Sequence, residues 1–210
     1  MSPLQWPDQG PAYGSVVLRP YRDDDLGLVA ELSADPYVPL IGTVPATFTE
    51  AEGLAYLRRQ HQRLSDGQGY SFAVADRTTD VALGGAGLWL HGDLPATAGY
   101  VIAPSRRGRG AASDALRALL GFAWTLPGIE RVELLIEPWN VGSIRVAEKC
   151  GFSPGGHVSA DSAVGGELKD MLRYGVDRST NRGFPVLRIR PESNTIDSYE
   201  LRVNNTGHRP

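Results

Sequence analysis

Three arginines and two glycines share one short stretch of this chain, Arg106-Arg107-Gly108-Arg109-Gly110, and the pair Ala111-Ala112 follows it directly. Glycine has no Cβ, so the backbone N–H groups of such a stretch can gather around a ligand. Guanidinium groups add charge and paired donors for phosphate. A helix that begins at the end of the stretch would add unpaired N–H groups and about half a positive charge. These residue types predict a site for a polyanion such as a diphosphate; the alternative is an exposed, solvated turn.

Two other phosphate-binding loops fit this stretch poorly. A dinucleotide-binding loop needs a third glycine, where Gly108-x-Gly110-x-x-Ser113 has a serine, and it needs repeated βαβ units that the chain lacks. The P-loop of nucleotide triphosphatases is excluded, because no Gly-Lys-Ser/Thr occurs in the chain.

The elements around this stretch are predicted to be a strand before it and a helix after it. Residues 97–103 read as the strand, and the helix has apolar residues at 112, 115, 116, 119, 120 and 123, which form one face. An apolar run at 132–137 predicts a buried strand. Residues 140–150 predict a short helix that Gly151 ends.

The rest of the chain predicts a mixed sheet with helices packed on it. The expected elements are a strand at 16–20, a helix after Asp23-Asp24-Asp25, a structured loop from Asp35 to Phe48, a helix from the capping box Thr49–Glu52 to Ser65, strands at 70–75 and 81–90, and a last strand at 168–177. Strands that can pair antiparallel are thus joined to a β-α-β-α half, which is typical of an α+β or mixed α/β fold.

Composition limits the class of protein. The chain has 210 residues, which predicts one domain, here 15–178, with a leader at 1–14 and an appendage of uncertain order at 179–210. A formal charge of −3 argues against a protein that coats nucleic acid. The chain has no apolar run of about 20 residues and no signal peptide, so we expect no membrane contact and a cytoplasmic location. Its single cysteine, Cys150, excludes an intrachain disulfide and is expected to be a buried apolar residue.

Two motifs carry a family resemblance. Residues 107–112 fit Arg-x-x-Gly-x-Ala, and residues 140–152 read Asn-Val-Gly-Ser-Ile-Arg-Val-Ala-Glu-Lys-Cys-Gly-Phe. In both motifs, and in the helix and strand between them, the chain resembles the GNAT superfamily of acyl-CoA-dependent N-acyltransferases. The second motif is similar to the branch that contains ribosomal-protein N-terminal acetyltransferases. The likeness covers roughly residues 15–178.

The resemblance implies a fold and a co-substrate. The fold would be a central, mostly antiparallel twisted sheet that splays at a coenzyme A cleft and is flanked by about four helices. Acetyl-CoA would be the co-substrate, its pyrophosphate held by the turn and its pantetheine arm along the strand edge, and direct transfer would need no metal. The residues expected to bind it are Val101, Ile102, Ala103, Arg106, Arg107, Gly108, Arg109, Gly110, Ala111, Ala112, Asn140 and Ser143.

The resemblance also implies catalytic roles. Ser143 would protonate the leaving thiolate, since Gly151-Phe152 offers no hydroxyl such as the tyrosine that many GNAT enzymes use. Glu137 is the first candidate for the general base; Glu133 lies deeper in the strand. Asp161 is a second candidate, in a segment whose alignment Pro154-Gly155-Gly156 leaves unsure. An α-amine with a pKa of about 7.8 needs only about 1 kcal/mol to lose its proton at pH 7, against about 4.6 kcal/mol for a lysine.

The acceptor is expected to be a protein N-terminus or a small amine. Its pocket is expected among the loop at 36–48, Trp89, His91 and Trp139, with His91 and His61 more often structural. Asn140 could cap its helix, bind pantetheine, or do both. The alternative function is a non-catalytic acyl-CoA sensor or interaction module of the same fold. Nucleic-acid binding is a distant third, suggested only by six arginines against three acids from residue 178 on. Relatives that pair as dimers make a homodimer conceivable.

Overall fold

The computed structural model describes residues 4–180 and 187–188, and of residues 160–163 and 187–188 it describes the backbone alone. The strands are β1 (Pro11–Tyr13), β2 (Val16–Arg19), β3 (Gly69–Asp76), β4 (Ala82–His91), β5 (Leu94–Ile102), β6 (Arg131–Ile136), β7 (Ser153–Val164), β8 (Glu167–Asp177) and β9 (Leu187–Arg188). The α-helices are α1 (Leu26–Ser33), α2 (Val38–Ile41), α3 (Glu50–Ser65), α4 (Ala111–Ala123) and α5 (Val141–Lys149). No helix in this part of the chain is long and apolar enough to cross a membrane.

In the described residues the strands form one sheet in the order β7-β8-β6-β5-β4-β3-β2-β1-β9. Every neighbouring pair is antiparallel except β5 and β6, which are parallel. The mostly antiparallel mixed sheet that the sequence predicts is therefore confirmed.

The sheet opens between β5 and β6, and this opening is called the splay below. Their register is limited to Ala96 opposite Val132 and Thr97 opposite Glu133. Beyond these pairs β5 continues along β4 to Ile102, while β6 continues along β8. Backbone groups on the facing edges of the splay are thus left without a strand partner, as the resemblance implied.

Helices cover both faces of the sheet. Helix α4 buries the apolar face that the sequence predicts, with Ala115, Leu116, Leu119, Leu120 and Ala123 all at most 1% exposed. Helices α1 and α3 pack on the opposite face through a second apolar cluster. The Thr49 hydroxyl accepts a hydrogen bond from the Glu52 N–H at 3.2 Å, which confirms the predicted cap of α3.

The structure adds elements that the sequence patterns did not indicate. A single helical turn, α2, lies inside the expected loop at 35–48, so that the α-helices number five in the described chain. Strand β7 occupies a segment in which Pro154, Gly155 and Gly156 suggest a turn; it is an irregular edge strand with two register shifts. Residues 11–13, expected in the leader, pair with β2, and Trp6 packs edge-on against Phe72.

Part of the expected appendage also joins the sheet. Leu187 and Arg188 pair antiparallel with Ala12 and Pro11. The strand-like pattern that the sequence shows at 199–203 lies outside the described residues.

A buried ion pair fixes the turn between β2 and α1. The guanidinium of Arg19 donates two hydrogen bonds to the Asp25 carboxylate, at 2.8 and 2.9 Å, and its Nε donates to Asp80. Both partners of the Arg19–Asp25 pair are buried. The hydrogen bond to Asp25 raises the pKa of Arg19 and outweighs the desolvation that lowers it.

We expect Asp25→Asn to lower the free energy of unfolding by about 2 kcal/mol, because it removes the buried one of the two carboxylates that pair with the Arg19 guanidinium and leaves only the more exposed Asp80. Urea denaturation measures the change. Asp24→Asn is the matched control: Asp24 is the exposed neighbour in the same acidic triplet, and its replacement is expected to alter stability by less than about 0.5 kcal/mol. Equal effects of the two substitutions would contradict this role of the pair.

Candidate active site

The turn between β5 and α4, residues 104–112, is called the Gly/Arg turn. Gly108 and Gly110 both have positive φ, +77° and +87°, and a Cβ at either position would meet no atom within 4 Å. Gly110 is the N-cap of α4, and no side chain caps this helix. The first N–H groups of α4 have no partner within the helix, and the residues that precede them, 104–110, are exposed. The predicted anion site is therefore an open set of N–H donors at a helix start.

The three arginines of the turn have different surroundings. Arg106 and Arg109 are exposed, and Arg109 has no acidic partner among the described residues. The Arg107 side chain folds back: its Nε donates to the Ile102 carbonyl oxygen at 2.9 Å, and its Nη2 lies 2.7 Å from an Asp35 carboxylate oxygen. Arg107 thus holds the turn in place, which leaves Arg106 and Arg109 as the cations with the most open access to a ligand.

Asp35 connects the Gly/Arg turn to the segment around α2. Its carboxylate accepts the N–H groups of Tyr37 at 2.8 Å and Val38 at 3.0 Å, and it pairs with Arg107. Burial alone would raise the pKa of Asp35, but the two N–H donors and the guanidinium outweigh it and lower the pKa. The ionised Asp35 carboxylate therefore connects the segment around α2 to the Gly/Arg turn.

The edge of β5 supplies a further donor. The Ala103 N–H donates to the carbonyl oxygen of Leu83 in β4, so by alternation the N–H of Val101 also faces β4. The same alternation turns the N–H of Ile102 toward the splay. Of the three strand residues expected to bind coenzyme A, Ile102 is the one that presents a backbone N–H to the opening.

Glu137 directly follows β6 and is buried, with 7% of its surface exposed. Its carboxylate accepts a hydrogen bond from the Tyr37 hydroxyl. Burial and this carboxylate raise the pKa of Tyr37, so the phenol remains a donor. The predicted base is therefore a buried carboxylate whose orientation is set by a tyrosine 100 residues away.

Asn140 and Ser143 lie at the start of α5, beside Glu137. The Asn140 side-chain oxygen accepts the Ser143 N–H at 3.0 Å, so its capping role is confirmed while its amide NH2 stays available. The Ser143 hydroxyl has no hydrogen-bond partner among the described residues. Tyr100 approaches from β5 and donates to the Ser143 carbonyl oxygen at 3.5 Å, and burial raises the pKa of Tyr100 to about 12.

A cavity of about 310 Å³ lies between β5 and β6 and is lined by Tyr37, Tyr100 and the groups at the start of α5; we name it the acceptor cavity. Glu137, Asn140 and Ser143 line it on the side of β6 and α5. Its opposite wall comes from the segment 37–44 and from α3, which contributes Tyr56, Gln60 and Arg63. The volume lies at the lower end of the range for small-molecule sites.

Glycines on β4 and β5 make room for aromatic side chains that line this cavity. A Cβ at Gly85 would overlap the Tyr21 hydroxyl, and a Cβ at Gly87 would lie 2.7 Å from the Trp89 ring. Gly99 faces the same ring at 3.0 Å. The glycines of β4 thus accommodate the Tyr21 hydroxyl and the Trp89 ring, both of which line the acceptor cavity.

Only some of the residues expected to form the acceptor pocket line the acceptor cavity. The segment at 37–44 and Trp89 do line the acceptor cavity. Trp139 does not; it is 59% exposed and packs edge-on against Tyr37. His91 bonds to Thr97 at 2.8 Å, outside the cavity lining. His61 bonds to the Tyr21 carbonyl at 2.9 Å and also lies outside the lining.

The structure also locates the two other candidates for the general base, Glu133 and Asp161. Glu133 is bonded to Arg131 at 2.9 Å and does not line the acceptor cavity. Asp161 lies in β7, and its side chain is outside the described residues. Sequence reasoning missed Tyr37, Tyr56 and Arg63, because these residues come from distant segments and carry no local motif.

Cys150 is buried, as the sequence predicts. Cys150 is fully buried, and its thiol donates to the Ser113 carbonyl at 3.5 Å. Burial raises the pKa of this thiol to about 11.

We expect Cys150 to react with an aromatic disulfide at pH 8 at least about 100 times more slowly than a free thiol of pKa 9, because its thiolate fraction is that much smaller. Absorbance at 412 nm follows the reaction. In urea the same protein should release one equivalent at the rate of an ordinary thiol. Rapid labelling of the native protein would contradict the buried placement.

A family comparison identifies the domain. The acetyltransferase (GNAT) domain model matches residues 15–153. A curated relative, "Probable N-acetyltransferase YjcK" of Bacillus subtilis, is 29% identical over 112 residues. This match covers 52% of the present chain and 62% of the relative, so the chain spans about six tenths of the length of that protein.

Solved structures show the same fold. Mycobacterium smegmatis RimJ in complex with CoA-disulfide superposes with a TM-score of 0.71 at 25% identity, covering 83% of this chain and 90% of RimJ. Spermidine N-acetyltransferase from Vibrio cholerae, in complex with CoA and spermine, gives a TM-score of 0.65 at 21% identity, covering 80% and 98%. With the family model spanning well over half of its residues, the chain belongs to the GNAT acetyltransferase family.

Proposed function

We propose that this protein transfers the acetyl group of acetyl-CoA directly to a primary amine. The observation that carries the proposal is a set of three features that β5, β6 and the helices after them provide. These are the uncapped start of α4, the free N–H of Ile102 and a cavity lined by Glu137 and Ser143.

The residues of the Gly/Arg turn fit the diphosphate of coenzyme A. The N–H groups at 108–112 offer donors without a competing side chain, and Gly108 and Gly110 leave open space where a ligand would approach. Arg106 and Arg109 add positive charge. Asn140 can offer its amide NH2 to the pantetheine arm while its oxygen caps α5. Bound acetyl-CoA supplies the thioester whose acyl carbon is attacked.

The chain's own groups suit the remaining steps. Glu137 accepts a proton from the amine, directly or through water, so that the nitrogen lone pair can attack the acyl carbon. The Ile102 N–H stabilises negative charge on the acyl oxygen. The C–N bond forms as the C–S bond breaks, the Ser143 hydroxyl donates its proton to the departing sulfur, and the serine oxygen takes back the surplus proton from the newly acylated nitrogen. Glu137 and Ser143 thus act on opposite sides of one acyl carbon.

Thiol release from acetyl-CoA in the presence of an amine panel tests this function, with mass spectrometry of the products. We expect thiol release that depends on both substrates, and a product 42 Da heavier than its amine. Binding of coenzyme A without transfer to any amine would instead favour a non-catalytic acyl-CoA sensor. Absence of coenzyme A binding would overturn both functions.

A further inference from the structure

Arg63 is a charged residue on the wall of the acceptor cavity that the proposed chemistry does not use. Its guanidinium lies 5.7 Å from the centroid of the Trp89 ring and donates to the Thr43 hydroxyl at 3.2 Å. Among the described residues, no carboxylate lies within ion-pair distance of it. The side chain is partly buried, and a guanidinium stays charged at every physiological pH. This end of the cavity therefore holds an uncompensated positive charge.

Hydroxyl donors surround the same end. Tyr21 and Tyr56 are buried with their oxygens 3.5 Å apart. Desolvation raises the pKa of both phenols, so they remain neutral donors. Only one of the two hydroxyls can donate to the other, which leaves one O–H without an acceptor inside the pair. Arg63 and this O–H form a donor-rich end suited to an anion.

The other end of the acceptor cavity has the opposite character. Glu137 is the one acidic residue of the described lining, and Arg63 is the one basic residue. The lining also contains apolar side chains, among them Val44, Leu135 and Met171. Arg63 lies over Trp89, which is level with the last β5–β6 pair at Thr97, whereas Glu137 lies beyond the end of β6, so the cation and the proton acceptor occupy different parts of the cavity.

We propose that the acceptor is a primary amine that also carries a carboxylate on an apolar body, with the amine toward Glu137 and the carboxylate on Arg63. This inference rests on the proposed function. A polyamine would place a second cation against Arg63, which disfavours it. The carboxylate can come from a free amino acid or from an acidic residue near a peptide N-terminus, since both present the same group.

Matched acceptor pairs test the inference. Phenylalanine is compared with its amide, 6-aminohexanoate with its amide, and the tripeptide Ser-Glu-Phe amide with Ser-Gln-Phe amide; spermidine is the polyamine. We expect kcat/KM to be at least about 10-fold higher for the acid of at least one pair, and lower for spermidine. A higher kcat/KM for the acid in either of the first two pairs identifies a free amino acid as the acceptor. A higher kcat/KM that is confined to the glutamate tripeptide identifies an acidic residue near a peptide N-terminus.

Variants assign the preference to one side chain. Arg63→Met is expected to bring the acid-to-amide ratio to about one, while Arg63→Lys retains part of the preference. Arg58→Met is the matched control, because Arg58 is exposed on the same helix and outside the cavity lining; it should keep the full ratio. Coenzyme A affinity and circular dichroism verify that each variant is folded.

The failures of the two proposals are distinguishable. Transfer to amides as fast as to acids, a preference for spermidine, or an unchanged ratio in Arg63→Met would overturn the carboxylate inference and leave acyl transfer standing. If no amine in the panel causes thiol release, despite intact coenzyme A binding, the proposed function itself is overturned.

Discussion

Replacing Gly110 by valine is expected to weaken the binding of coenzyme A about 100-fold, which corresponds to about 2.7 kcal/mol. Gly110 has φ +87° at the N-cap of α4, a conformation that costs an L-residue roughly 1–2 kcal/mol and that a β-branched residue rarely adopts. If the backbone of the variant relaxes to relieve this strain, the N–H groups at the start of α4 no longer converge on one diphosphate. Isothermal titration with coenzyme A measures the loss.

Gly128→Val is the matched control for that experiment. Gly128 has φ +79° and open space around its Cβ position, so valine meets similar strain there, but it lies beyond the other end of α4. Both variants should lose thermal stability, whereas only Gly110→Val should lose affinity. Equal dissociation constants for Gly110→Val and the natural protein would refute the assignment of the Gly/Arg turn to the diphosphate.

Glu137→Gln is expected to lower kcat for acetyl transfer by about 1,000-fold, within the 10²–10⁴ range of a lost general base. Glutamine has nearly the same shape, and its side-chain oxygen can still accept the Tyr37 hydroxyl, so the fold of the site is preserved. The affinity for coenzyme A should be unchanged. Steady-state thiol release measures kcat, and titration measures the affinity.

The pH dependence of the Glu137→Gln variant provides a second readout. Without a base, the reactive species is the amine that has already lost its proton. The residual rate should therefore rise about tenfold per pH unit until the pH reaches the pKa of the acceptor, about 7.8 for an α-amine. A rate that stays flat over this interval would contradict the role of Glu137.

Glu133→Gln is the control on the same strand. Glu133 bonds to Arg131 and lies outside the acceptor cavity, so its replacement is expected to change kcat by less than about threefold. If Glu137→Gln retained as much activity as Glu133→Gln, the proton would have to leave by another route, such as Asp161 or a chain of water molecules.

Local signals in the sequence located most of the residues of the proposed coenzyme A site. The glycines of the Gly/Arg turn require positive φ, and Asn140 caps α5, so each residue carries its own structural reason. The same locality explains the elements that were predicted, from the cap at Thr49 to the apolar face of α4. Strand β7 was missed because Pro154, Gly155 and Gly156 contradict the pattern of a regular strand.

The acceptor side could not be predicted in the same way. The bond between Tyr37 and Glu137 joins residues 100 positions apart, and Arg63 is brought to the acceptor cavity by the packing of α3. The direction of the Ile102 N–H depends on the register between β4 and β5. No periodic pattern or motif in the sequence indicates any of these relations, because each arises from tertiary contacts.

The glycines on the floor of the acceptor cavity limit how the protein can be redesigned for other amines. Adding a methyl group at Gly85 or Gly87 would displace Tyr21 or Trp89 rather than trim the cavity. Gly85 and Gly87 are therefore unsuited to adjusting the depth of the cavity. Changes in substrate selectivity, whether by mutagenesis or by evolution, are instead expected from the segment 37–44 and from Arg63 on α3, which line the cavity from outside the sheet.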